Sequence, residues 1–248
     1  MKEDDRQRAI LHRLARMEDT CSAPAIPSGF AALDEVLGTG GLPRGRILEI
    51  FGPAGCGKTT LAIQIVAYLQ RNGCTAAWID ADHTFDAAWA AGLRVNTGAM
   101  PLAQPDSAEQ ALEIAATLAA SAAVDLIVLD SAAALVPKLE RSIGLGSAPG
   151  LHSRVMASGL RKLGRSLARS GACALFLNQM RNRLDPAGAG GETSAGGSPL
   201  KLHAAVRLLM APSKARHIAL RVLKNKVAER IGERQIAWRQ GGGFVESP

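Results

Sequence analysis

Nine consecutive residues, Gly52, Pro53, Ala54, Gly55, Cys56, Gly57, Lys58, Thr59 and Thr60, carry the pattern G-x4-G-K-[ST], whose chemistry is the holding of phosphate. The glycines let the loop curl until successive N–H groups face phosphate oxygens. Lys58 adds a mobile cation for the outer phosphates, and the Thr59 hydroxyl is placed to ligate Mg²⁺. A second stretch, Leu126–Asp130, is four apolar residues ending in an acid. At the end of a neighbouring strand, the Asp130 carboxylate would support the same metal ion. Apolar strands ending in aspartate are common, so this signal is weak alone. Paired with the loop it completes a site for ATP and Mg²⁺.

Such a loop works only with a strand before it and a helix after it, and the chain supplies both. Ile47–Phe51, Cys74–Asp80, Leu126–Asp130 and Ala172–Asn178 read as buried strands. Thr59–Gln70, Ser107–Ala122 and Leu151–Ser170 read as helices, the middle one opening with Ser107 and, three residues on, Gln110. The alternation predicts an α/β P-loop NTPase core: a mostly parallel twisted sheet with helices on both faces. Shorter strands over Ala204–Met210, His217–Leu223 and Gln235–Trp238 would finish it in antiparallel fashion. Sites in such sheets form at the carboxyl ends of the strands, where Asp80–Asp82, Asp130 and Asn178–Gln179 all fall.

The length of 248 residues suits one large domain, and 47% hydrophobic residues provide a core. A net charge of +7 is compatible with a polyanionic partner. The scattered cysteines, Cys21, Cys56, Cys74 and Cys173, indicate neither a disulfide framework nor a zinc site. The charged N-terminus and the lack of a long apolar run predict a cytoplasmic protein with no membrane partner. Residues 1–21 are expected to form an amphipathic helix, 22–28 a linker and 29–248 the core. The helix would either cap this core or pack on a neighbouring subunit.

A set of further stretches stands in a characteristic order: Ile26–Asp34, Gly40–Arg46, the P-loop, Ile79–His83, Leu129–Leu135, Phe176–Gln179, Gly196-Gly197 and Lys224-Asn225-Lys226. On these the chain resembles the bacterial RecA recombinase family over roughly residues 25–248. The resemblance implies that Asp82 orients the water attacking the γ-phosphate, in place of the family's usual glutamate. One fewer methylene retracts the carboxylate by about 1.5 Å, so slow hydrolysis is expected. Asp86 and Trp89 would line the adenine, Trp89 replacing a tyrosine. Gln179 would sense the γ-phosphate, and Lys224 and Lys226 would reach a neighbouring protomer's phosphates. ATP would then sit between protomers, making self-association into a filament a condition of activity.

Two segments would face DNA by the same resemblance. The first runs from Arg141–Gly150 into the helix 151–170, where Arg154, Arg161 and Arg165 share a stripe with Lys162 and Arg169 alongside; a solvated helix face would look the same. The second, Arg181–Gly197, is glycine-rich, holds Arg181 and Arg183, and lacks aromatics, so backbone contacts would dominate over base stacking. The family's usual C-terminal domain is expected to be missing after Pro248. The implied activity is that of a DNA-dependent ATPase on single-stranded DNA, pairing it with a homologous duplex in recombination and repair. An accessory paralogue without strand exchange, or a P-loop ATPase with a non-DNA substrate, are the alternatives.

Overall fold

The computed structural model describes residues 25–143, 150–182, 192–195, 197–214, 216–228, 232–239 and 242–246. The expected N-terminal helix lies outside them. Its architecture is a central sheet with helices on both faces, as the alternation predicts. At the middle sits β3 (Ile47–Gly52), flanked by β7 (Cys173–Asn182) and β9 (Val206–Pro212) in parallel. Beyond β7 come β6 (Leu126–Asp130), β4 (Ala76–Asp80) and the short β5 (Leu102–Ala103), all parallel. Beyond β9 the sheet turns antiparallel through β10 (His217–Asn225), β11 (Glu233–Trp238) and β12 (Phe244–Glu246).

Period-2 alternation divides each inner strand between two cores. Leu48 and Ile50, Leu126 and Val128, and Leu175 and Leu177 point to one face. There they meet Leu61, Ile65, Val66 and Leu69 of α2 (Lys58–Arg71), the helix behind the P-loop. Ile47, Ile127, Leu129 and Phe176 point to the other, against α4 (Ala108–Ala120) and α6 (Leu151–Ser170). On α6 the apolar positions Met156, Leu160, Leu163 and Leu167 recur at helical spacing and are fully buried. Burying each contributes about 1.5–3 kcal/mol. Helices α4 and α6 approach closely because Gly159 has no side chain: a Cβ there would lie 2.5 Å from Leu112 Cδ1.

The helix starts follow their capping residues. Ser107 accepts from the Gln110 N–H at 3.3 Å at the head of α4, while the Gln110 side chain accepts from Asp106 N–H at 2.7 Å. One expectation needs correction. The proline-containing stretch 22–28 is not wholly a linker: β1 (Ala25–Ile26) pairs antiparallel with β2 (Leu42–Pro43), and Ala25, Ile26 and Ser28 are buried. The two apolar residues between the prolines are what the core recruits. The described ends of the glycine-rich segment Arg181–Gly197 are strands. Strand β7 runs on to Asn182, and β8 (Glu192–Ser194) returns to pair with it antiparallel.

A candidate nucleotide site joined to a basic surface

The P-loop connects the carboxyl end of β3 to the first turn of α2. Gly57 turns the chain with φ +89°, and a Cβ there would come within 2.6 Å of both Phe244 and Trp238. Those two rings pack together with centroids 4.1 Å apart, so the loop rests on an aromatic floor from the C-terminal strands. Gln64 of α2 ties that floor down by accepting from Phe244 N–H at 2.6 Å and donating to its carbonyl at 3.0 Å.

Within the loop, Lys58 Nζ donates to the carbonyls of Gly52 at 3.1 Å and Pro53 at 2.8 Å. The ammonium thus lies inside the curl of the loop. The Thr59 hydroxyl donates to Asp130 Oδ2 at 2.7 Å. This bond joins the first turn of α2 to the end of β6, as two groups serving one metal ion require. Burial pushes the Asp130 carboxyl up to about 6 from its ordinary 3.8; the Thr59 bond opposes that rise and the nearby Asp82 and Asp80 charges add to it. Loop amides, an ammonium, a hydroxyl and a carboxylate form a donor set that suits nucleotide phosphates and a hard divalent cation.

Asp82 reaches this site through main-chain anchoring. The Ala81 and Asp82 N–H groups donate to the Asp130 carbonyl at 2.7 and 3.3 Å, holding the two strand ends together. Asp80, its neighbour, is committed to structure: it accepts from the Thr84 and Phe85 N–H groups and from Gln104 Nε2. Gln179 sits on β7 in register with Gly52 of β3, its side chain exposed. Asp86, expected beside the adenine, spends its carboxylate capping α3 (Ala87–Gly92), where it accepts from Trp89 N–H at 2.9 Å. The Trp89 ring is exposed and touches the turn at Gly242. Trp238 directly precedes Arg239, whose N–H donates to the Gly243 carbonyl at 2.9 Å.

The family model described as the RecA N-terminal domain matches residues 6–244. Proteins named Protein RecA from Deinococcus radiodurans, Acidothermus cellulolyticus and Frankia casuarinae are 43%, 46% and 42% identical over 92%, 82% and 97% of this chain. The chain belongs to the RecA family. It covers 66%, 64% and 76% of the length of those three RecA proteins.

Around this RecA core the remaining predicted residues fall into two groups. Arg154, Arg161 and Arg165 are exposed on α6, as the stripe predicts. Lys162 is drawn off to Glu113 of α4 at 2.6 Å, whereas no carboxylate pairs with Arg161, Arg165 or Arg169 among the described residues. Lys224 and Lys226 lie at the end of β10. The Lys224 ammonium donates to the carbonyls of Lys201 and Leu202, closing the carboxyl end of α7 (Ser198–His203) in its own chain. Its pKa is lowered by burial and by Lys226 and Arg207, against the pull of Glu49. Burial together with Arg161, Lys224 and Lys226 likewise lowers His203, so α6, α7 and β10 bring one cationic cluster together. Arg181 is exposed at the end of β7, and Gly197 begins α7 with φ +75°. Arg183 and Gly196 lie outside the described residues.

Sequence reading passed over Trp238, Phe244, Glu49 and Arg207. The aromatics lie about 180 residues from the loop they support, with no local pattern to link them. Glu49 was legible only as an acid inside an otherwise apolar strand, the one available signal of a buried polar partner.

Proposed function

We propose that this chain is a RecA-type core that binds ATP and Mg²⁺ at Gly52–Thr60 and Asp130, and couples their state to single-stranded DNA. One observation carries the reading. A single strand, β7, places Gln179 beside Gly52 and then continues into Arg181 and the glycine-rich segment, whose return strand β8 pairs back onto it. Nucleotide site and candidate DNA segment thus share a backbone.

In this reading Lys58 leaves the Gly52 and Pro53 carbonyls for the outer phosphates, and Thr59 and Asp130 hold the metal ion, which offsets developing phosphate charge. Trp238 and Trp89 flank the base, offering it aromatic faces. Asp82 accepts the proton-bearing side of the attacking water. Arg181 and the Arg161–Arg165 stripe take the DNA backbone. Lys224 exchanges its carbonyl partners for a neighbouring protomer's phosphates, so filament assembly on DNA turns hydrolysis on. A homologous duplex is then aligned in the filament, in recombination and repair.

The deciding experiment is ATP hydrolysis with and without single-stranded DNA at several salt concentrations. Stimulation that fades with salt supports the reading; turnover indifferent to DNA sinks it. The short carboxylate Asp82 favours a second reading, an accessory paralogue that binds nucleotide and partners without exchanging strands. A strand-exchange assay on the same preparation separates the two.

A further inference from the structure

Glu49 is fully buried in β3, three residues before the P-loop. Its Oε1 accepts from Asn178 Nδ2 at 2.8 Å and its Oε2 from Arg207 Nε at 2.5 Å. Neither partner stops there. Asn178 Nδ2 also donates to the Ala195 carbonyl at 3.0 Å, and an Arg207 terminal nitrogen donates to Ser194 Oγ at 3.0 Å. The Ala195 N–H in turn donates to the Gln179 carbonyl at 2.9 Å. The Arg207 guanidinium also lies 4.8 Å from the centre of the Phe51 ring, directly before Gly52.

The circuit therefore closes. Strand β3, leading into the P-loop, grips β7 through Asn178 and β9 through Arg207. Those same two side chains grip Ser194 and Ala195, where the chain emerges from the glycine-rich segment. Taking a carboxylate and a guanidinium out of water costs as much as their pairing returns, and an apolar pair of like volume is commonly as stable. Stability gives no reason for this arrangement in the middle of a parallel sheet. Connection does, because a fully satisfied polar network fixes its members in one mutual geometry.

We propose that Glu49 is a positioning residue. Through Asn178 and Arg207 it ties residues 194–195 to Gln179 and the P-loop, so that nucleotide state at the loop is transmitted to the chain leaving the glycine-rich segment. This rests on the reading that Gln179 faces the outer phosphate. Ser194 is the peripheral link, and Glu49 and Arg207 are the hub.

The test is amide hydrogen exchange across residues 192–195 with and without Mg²⁺ and a non-hydrolysable ATP analogue, in the absence of DNA. In the parent chain the analogue slows Ala195 exchange at least five-fold. Ser194→Ala, which removes one hydroxyl and leaves the core filled, reduces that response at least three-fold. The paired change Glu49→Gln with Arg207→Gln, which removes both charges together so that neither is left buried and unpaired, abolishes it. Analogue affinity in both variants stays within three-fold of the parent, which a merely structural defect would not allow. An unchanged Ala195 response in both variants overturns the proposal, as does a parent chain that binds the analogue with no response at Ala195. A chain that binds no nucleotide removes the proposal and the functional reading together. A nucleotide response at Ala195 alongside turnover indifferent to DNA retires the DNA reading and leaves the coupling standing.

Discussion

Thr59 and Asp130 meet across the gap between α2 and β6 at 2.7 Å, hydroxyl to carboxylate, with no other side chain between them. Burial at this junction penalises the charged form of Asp130, and the Thr59 bond only partly offsets it. Its carboxyl is buried near Asp80 and Asp82, and its pKa stands at about 6 against an ordinary 3.8.

A pH prediction follows from the sign of that shift. Between pH 3.8 and about 6 the unfolded chain ionises Asp130 while the folded chain retains its proton. Stability from this group is therefore fully present below pH 3.8 and lost as pH rises through about 6. Asp130→Asn removes the penalty, worth on the order of 3 kcal/mol for a shift of this size. In thermal melts without nucleotide, the variant should be more stable than the parent at pH 7.5, with the gap closing toward pH 4. Asp34, also raised to about 6 by burial, titrates identically in both proteins and cancels from the difference. Hydrolysis should fall roughly 100-fold in the same variant, the usual cost of removing a group that stabilises developing charge. A variant less stable than the parent at pH 7.5 would contradict the assignment.

Asp82→Glu should raise turnover about ten-fold while leaving ATP affinity within a factor of two. The longer side chain brings the carboxylate about 1.5 Å closer to the phosphate end of the loop, and a base acts only within hydrogen-bond reach of its water. Single-turnover hydrolysis measures the chemical step directly. An unchanged rate would mean that Asp82 is not the limiting group.

The aromatic floor can be tested through Gly57. Its Cβ would strike the Trp238 and Phe244 rings at 2.6 Å, and its φ of +89° disfavours any side chain. Gly57→Ala should cost about 1–3 kcal/mol and weaken ATP binding in parallel. Tryptophan emission offers a second readout. Trp78 is buried in the core, so nucleotide-dependent changes should come from Trp89 and Trp238. Replacing both with Phe should abolish the signal, and a signal that survives would place the base elsewhere.

On the basic face, Arg161→Gln and Arg165→Gln should each weaken single-stranded DNA binding more at low salt than at high. Each lost phosphate contact lowers the slope of log affinity against log salt by about 0.7. Lys162→Gln, already paired with Glu113, should change the slope less. Equal slopes in all three variants would leave α6 as an ordinary solvated helix.

Much of this molecule was legible in the sequence because its signals are local. The P-loop, the Leu126–Asp130 strand, the helices around Leu61–Leu69 and Met156–Leu167, and the cap at Ser107 depend on residues within a few positions of one another. The burial of the inner strands' faces follows from period and composition. The linker reading failed at Ala25 and Ile26 because two prolines nearby spoke for a loop. A two-residue pairing with Leu42 and Pro43, with no local signature, prevailed.

By itself, then, the sequence determined a P-loop pattern, an apolar strand ending in Asp130 and the α/β frame that presents them, since each is set by neighbours along the chain. Only the tertiary structure decided what lies beneath the loop and what holds its far side. Trp238 and Phe244 reach Gly57, Glu49 clasps Asn178 and Arg207, and Lys224 closes a helix end instead of standing free. Each of these contacts joins residues distant in the chain. The side chains involved are ordinary, and nothing but the packing of strands β3, β7, β9 and β10 brings them within bonding distance.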